Sequence, residues 1–230
     1  CNAKEDDAVK WIDFPNESFP VSGLAWFNET TPRLWRLPER LKSAAAEGIE
    51  VAVSADHNHI TDYRADLERL GIGDELAVIL GNEITARGGS IHYNAYPLER
   101  REGEPGGGAI SVLDDTPNIL FGKSRDKDPG AVIQVNHPRS RGLGYFLTYE
   151  LEGETAASAK APFSMGFDVM EIMNGSRYGG ANKTCVEDLF HLLNRGYRVR
   201  AVGSSDAHGI DGGETGYSRT YVMYAGKEGA

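Results

Sequence analysis

From residue 37 onward, short β-branched runs alternate with longer amphipathic or polar stretches. Val51-Ala52-Val53, Ile91-His92-Tyr93, Val132-Ile133-Gln134-Val135 and Val199 to Ser205 are of strand length, too short for the apolar stripe of a helix. Leu76 to Glu83 reads as another strand, Phe167 to Gly175 alternates with a period of two, and Arg219 to Tyr224 reads as the last strand. A further strand is expected near Val21 to Phe27, inside an aromatic lead-in that carries Pro15 and Pro20.

Helices fill the intervals. Leu37 to Gly48 has Pro near its start, Gly at its end and strong helix formers between. Tyr63 to Leu70 follows Thr61 or Asp62 as cap and stops at Gly71. Cys185 to Arg195 places Val186, Leu189, Leu192 and Leu193 on one face, with Thr184 and Glu187 at capping-box spacing and Gly196 at the end. The stretches 97–129 and 139–162, rich in Gly, Pro and charge, predict irregular inserts. Tyr145, Phe146 and Tyr149 in the second are expected to pack that loop. Strand and helix alternate, which favours parallel pairing and a single α/β domain over 21–230, after a polar lead-in or tether over 1–20.

The net charge of −10 argues against a nucleic-acid backbone or an anionic membrane face as partner, because both call for a basic surface. No apolar run reaches the ~18 to 20 residues that cross a bilayer. With two cysteines, Cys1 and Cys185, the chain has no multi-bridge disulfide framework and no paired thiolate spacing for zinc. Cys185 reads as a buried small hydrophobe. Cys1-Asn2-Ala3-Lys4-Glu5-Asp6-Asp7 resembles the mature start of a bacterial lipoprotein, with a lipid anchor on Cys1 and a periplasmic or membrane-tethered location. A fragment boundary accounts for it equally well, and the location is then cytoplasmic.

The chemistry lies at the strand ends. Five of the six histidines, His57, His59, His92, His137 and His208, stand in or just after apolar runs, near carboxylates at Asp56, Glu83 and Asp206. In an α/β barrel or open sheet the loops at the carboxyl ends of the strands converge, so these residues would meet in one place. Imidazole and carboxylate are ligands of zinc, manganese and iron. A metal site of one or two divalent cations is therefore expected from His57, Glu83, His92, His137, Asp206 and His208. His59 would line the pocket, and Asp56 and Asn136 would orient neighbours. A structural role for the histidines alone would predict no bound metal. Nucleophilic readings are poorer: no Gly-x-Ser-x-Gly elbow occurs, and Ser204 to His208 is too local for a triad.

In order along the chain, Ser54-Ala55-Asp56-His57-Asn58, Gly81-Asn82-Glu83, His92-Tyr93-Asn94-Ala95, Asn136-His137-Pro138-Arg139, Glu171 to Gly175, Ser205-Asp206-Ala207-His208-Gly209 and Arg219-Thr220-Tyr221-Val222 resemble the polymerase and histidinol phosphatase (PHP) superfamily. The likeness extends to its carbaryl-hydrolase-like (CehA/McbA) branch. It implies a distorted seven-stranded β/α barrel with two or three divalent metals that hydrolyses a phosphoester, amide or carbamate of a small-molecule substrate. The family opens with a His-x-His pair, whereas no histidine precedes position 57 here, and Ala25 and Phe27 stand at the best-placed counterpart. The resemblance then leaves a first metal with only Glu83 and Asp206, a second with Glu83, His92 and His137, and a third with His57 and His208. Asp206 and His208 would be catalytic, and Arg139 would hold an anionic substrate. The alternative is a catalytically impaired metal- or ligand-binding relative.

Overall fold

A computed structural model describes residues 11–14, 17–20, 37–85, 91–112, 116–175, 177–208 and 215–222. Its frame is a mixed sheet. Strands β3 (Val51–Ser54) and β4 (Ala77–Leu80) pair in parallel, and β5 (Asn82–Thr85), β6 (His92–Tyr96), β7 (Val132–Val135), β10 (Val169–Asn174) and β11 (Arg200–Ser204) form a five-stranded sheet in the order β11-β10-β7-β6-β5. Two short hairpins, β1 (Trp11–Phe14) with β2 (Glu17–Pro20) and β8 (Leu151–Glu152) with β9 (Ala157–Ser158), lie outside it.

Gly81 joins the two-stranded and five-stranded parts. A Cβ there would stand 2.9 Å from the Ala95 carbonyl oxygen and 3.1 Å from that of Ser54, so only glycine lets the chain pass between β3 and β6. The predicted Leu76 to Glu83 strand is thus two strands that change partners at Gly81. Past it, His57 bridges Glu83 in parallel, which carries the β3 side into the larger sheet.

The pairing is less uniform than strand-helix alternation suggests. β10 is parallel to both β7 and β11, but β6 runs antiparallel to β5 and to β7. The link between β5 and β6 is too short for a crossover helix, which parallel pairing needs. The fold is α/β, and the described strands leave the sheet unclosed. Residues 219–222 form no strand; instead the Thr220 hydroxyl takes the Gly203 amide and donates to the Gly203 carbonyl beside β11. Ala25, Phe27 and the Val21 to Phe27 strand lie outside the described residues.

Helices α1 (Leu37–Ala46) and α2 (Arg64–Leu70) close over β3 and β4 around Leu41, Ala44, Tyr63, Leu67 and Leu76. Asp62 accepts the Arg64 amide at the start of α2, and Gly71 ends it at φ 70°. The larger core packs Ile84, Tyr93, Ile133, Val135 and Met170 against Leu120 and Phe121 of α3 (Pro117–Lys127) and Leu189 and Leu192 of α5 (Ala181–Asn194). α3 lies in the stretch expected to be irregular; Pro117 opens it, and Gly122 with its charged end obscures a short buried apolar face of Pro117, Leu120 and Phe121. α5 starts at Ala181, four residues before the expected position, so Thr184 lies inside the helix rather than capping it. Its buried face is Cys185, Asp188, Leu189 and Leu192, while Leu193 is exposed.

The second expected insert is also ordered. Tyr145 and Phe146, fully buried in the short helix α4 (Tyr145–Thr148), pack with Tyr149, Phe163 and Phe167 into an aromatic cluster beneath the sheet. This is the packing role expected of them. No helix among the described residues is long and apolar enough to cross a membrane.

Candidate metal centre

β5 carries the central carboxylate. Glu83 is buried and faces inward between two imidazoles: His57 Nδ1 is 3.3 Å from Oε2 and His92 Nδ1 is 3.0 Å from Oε1. One donor atom from each of His57, Glu83 and His92 falls within 4.8 Å of the others. β6 delivers His92 opposite Thr85, because antiparallel register pairs those two positions. The Thr85 hydroxyl in turn meets His57 Nδ1 in a short hydrogen bond.

His137, just past β7, extends the group, with Nε2 3.1 Å from His92 Nδ1. The three rings stand edge to face, His57 to His92 and His92 to His137 each 5.1 Å between centroids. Asn136 lies against Glu83, donating to its Oε1 at 3.0 Å and to Asn94 at 2.8 Å. Gln134 holds it by donating to its side-chain oxygen.

The donor chemistry suits a cation. Burial alone would raise the Glu83 carboxyl, but hydrogen bonding to His92 and the charges of His57 and His92, with Asn136, bring it down to about 2. Burial lowers His57 against the pull of Glu83, which favours the neutral ring that a metal needs. His92 Nδ1 touches both Glu83 and His137, yet a ring nitrogen carries at most one proton. One hydrogen cannot point squarely at both, so one of the two contacts lacks a full hydrogen bond, a shortfall that a bound cation would relieve.

The other expected residues are more scattered. Asp206, at φ 49° past β11, accepts from Asn174 Nδ2 at 3.1 Å and lies 3.9 Å from His137 Nδ1. His208 is over half exposed; its Nδ1 meets the Asp206 carbonyl at 2.7 Å, and its ring is 6.3 Å from that of His57. Both line the edge of the centre rather than its buried floor. Asp56 accepts from the Tyr63 hydroxyl and, through its carbonyl, from the Glu83 amide, so it orders the β3 to β5 junction. His59 bonds Thr61.

Arg139 points elsewhere. Its guanidinium makes a two-toothed pair with Asp188 of α5, 2.6 and 2.8 Å, donates to the Leu151 carbonyl and lies over the Phe146 ring. Its Nε and Nη2 are thus committed to Asp188 and Leu151. The signal was in the helix pattern: Asp188 lies one turn from Cys185 and Leu192 on the buried face, and a buried carboxylate calls for a cation.

No protein-family model matches the chain, and no curated protein matches it. Among solved structures, the chain is similar to the crystal structure of a proposed metal-dependent phosphoesterase from Bifidobacterium adolescentis, at 14% identity and a TM-score of 0.47, over 80% of this chain and 86% of the other.

Sequence reading passed over Thr85, Asn174 and Glu171 as site residues. Glu171 is 2% exposed and grips His137 from behind. One signal could have found it, a single charge in the middle of the apolar run Val169 to Met173.

Proposed function

We propose that this chain is a metal-dependent hydrolase of PHP type, a single domain over 21–230 acting on a phosphoester, amide or carbamate of a small molecule. The observation that carries the reading is the convergence of His57, Glu83 and His92 on one point, with His137 beside them. Glu83, His92 and His137 would hold one divalent cation, and His57 would share Glu83 and face His208 across a second position, beside Asp206. Zinc, manganese and iron all take such ligands. A cation there would lower the pKa of a bound water towards about 7 and stabilise charge on the attacked group.

The side chains do the rest. Glu83 stays ionised and Asn136 fixes its carboxylate. Asp206 and His208, at the exposed edge, would accept a proton from water and return it to a leaving group. Arg139 would have no part, since Asp188 holds it.

One observation favours a second reading. With no histidine before position 57, the donor set is smaller than the resemblance implies, and the protein would then bind a metal or ligand without turnover. Elemental mass spectrometry of the native chain and a Glu83→Ala/His137→Ala variant, with a turnover screen of aryl phosphates and carbamates, tests both. Metal lost in the variant together with turnover supports the hydrolase; metal without turnover supports the binder. No metal in either protein overturns the hydrolase.

A further inference from the structure

Glu171 stands in the middle of β10 with 2% of its surface exposed, against the Nδ1 side of His137. A carboxylate in that position is costly unless its oxygens are met by donors. Two donors and a ring nitrogen surround it. The His137 backbone N–H donates to Oε2 in a short bond, Asn174 Nδ2 lies 3.3 Å from both oxygens, and His137 Nδ1 lies 3.4 Å from Oε2.

The protons can be assigned. Asn174 Nδ2 has two hydrogens; Asp206 Oδ2 at 3.1 Å and the Glu171 oxygens at 3.3 Å are its nearer acceptors, and His137 Nδ1 at 3.4 Å is its most distant contact. A carboxylate only accepts, so its contact with His137 Nδ1 is attractive only when that nitrogen carries a proton. In the neutral ring the other nitrogen is then bare, and Nε2 is the one that faces His92 at 3.1 Å. With the proton on Nε2 instead, a lone pair on Nδ1 would face the carboxylate.

We propose that Glu171 is a positioning residue: it keeps the His137 proton on Nδ1 and so presents a bare Nε2 towards Glu83 and His92 as a ligand. This rests on the hydrolase reading and deepens it. The same oxygen that faces the ring also takes the His137 amide, which pins this residue at φ 29°, a backbone conformation that a non-glycine residue seldom adopts. Asn174 extends the grip to Asp206, so one carboxylate orders residues after both β7 and β11.

The test is the neutral tautomer of His137, read from imidazole 15N shifts on metal-free protein from about pH 6 to about pH 10, across the usual histidine range. The signal is assigned by its loss in His137→Gln. The wild type is expected to show Nδ1–H. In Glu171→Gln, whose amide hydrogens face the ring, the proton should move to Nε2 and Mn2+ affinity should fall about 10- to 100-fold. Nε2–H in the wild type, or an unchanged tautomer and affinity in Glu171→Gln, overturns the proposal. Should Glu171→Gln not fold, the wild-type tautomer decides alone. Should the wild type bind no Mn2+ or Zn2+, the hydrolase reading falls while the tautomer still judges Glu171.

Discussion

Asp188→Ala should destabilise the protein by about 3 kcal/mol, the low end of the ~3 to 5 expected when one partner of a buried ion pair is removed. The low end applies because the remaining guanidinium keeps the Leu151 carbonyl and the Phe146 ring, and because the Arg139 side chain is 14% exposed against 4% for Asp188. In a domain of this size that corresponds to a fall in Tm of about 6 to 12 °C. Replacing both partners, Arg139→Met with Asp188→Leu, leaves no orphaned charge and should return to within about 1.5 kcal/mol of the wild type. Urea unfolding followed by circular dichroism measures both, with equal slopes as the check that stability alone has changed. A loss under about 1 kcal/mol in Asp188→Ala would refute the clamp. So would a double variant that folds and keeps its metal but loses turnover, since Arg139 would then be needed at the substrate.

Gly81→Ala pushes a methyl against the Ala95 and Ser54 carbonyls, backbone that cannot step aside, and should lower stability by about 1 to 3 kcal/mol; because Glu83 lies two residues on, Mn2+ affinity measured by calorimetry should fall as well. An Ala variant of unchanged stability would mean that β3 and β6 are not so close. Glu83, held at about 2 against an ordinary 4.5, contributes stability that is fully present above about pH 4.5 and is lost as the pH falls towards 2. The difference in unfolding free energy between the wild type and Glu83→Gln should therefore shrink across that window, and a pH-independent difference would contradict the buried ion cluster. Zinc or manganese at about 100 times its Kd should raise stability by about 2.7 kcal/mol, and a chelator should remove that gain; a Tm indifferent to both would argue against a metal seat.

Strand runs and helix stops were legible because each is a local matter of β-branching, proline and glycine. β7 and β10 appear within a residue or two of the stretches that predict them. What was not legible depends on distant partners. Nothing local in Leu76 to Glu83 says that the strand changes neighbours at Gly81; that follows from the two carbonyls on either side, one of them from β6. The direction of β6 is set by a short connection rather than by its own residues. α3 escaped notice because only Pro117, Leu120 and Phe121 of its apolar residues are buried, and its amphipathic signal is correspondingly faint.

The candidate site divides in the same way. His57, Glu83, His92 and His137, which lie together in the structure, could be nominated because a candidate ligand at a strand end carries its own signal, an imidazole or carboxylate after an apolar run. Arg139 carried a signal of the same kind, beside His137, yet its partner is Asp188, forty-nine residues on. A helix periodicity that had included Asp188 in the buried stripe would have required a cation there, and Arg139 is the one that meets it. Glu171 is the converse case. Its charge in an apolar strand could have marked it as exceptional, but which nitrogen of His137 it faces is a matter of three dimensions. Composition can nominate the donors of a metal site; the supporting carboxylates that set ring orientation emerge only once β7, β10 and β11 lie side by side.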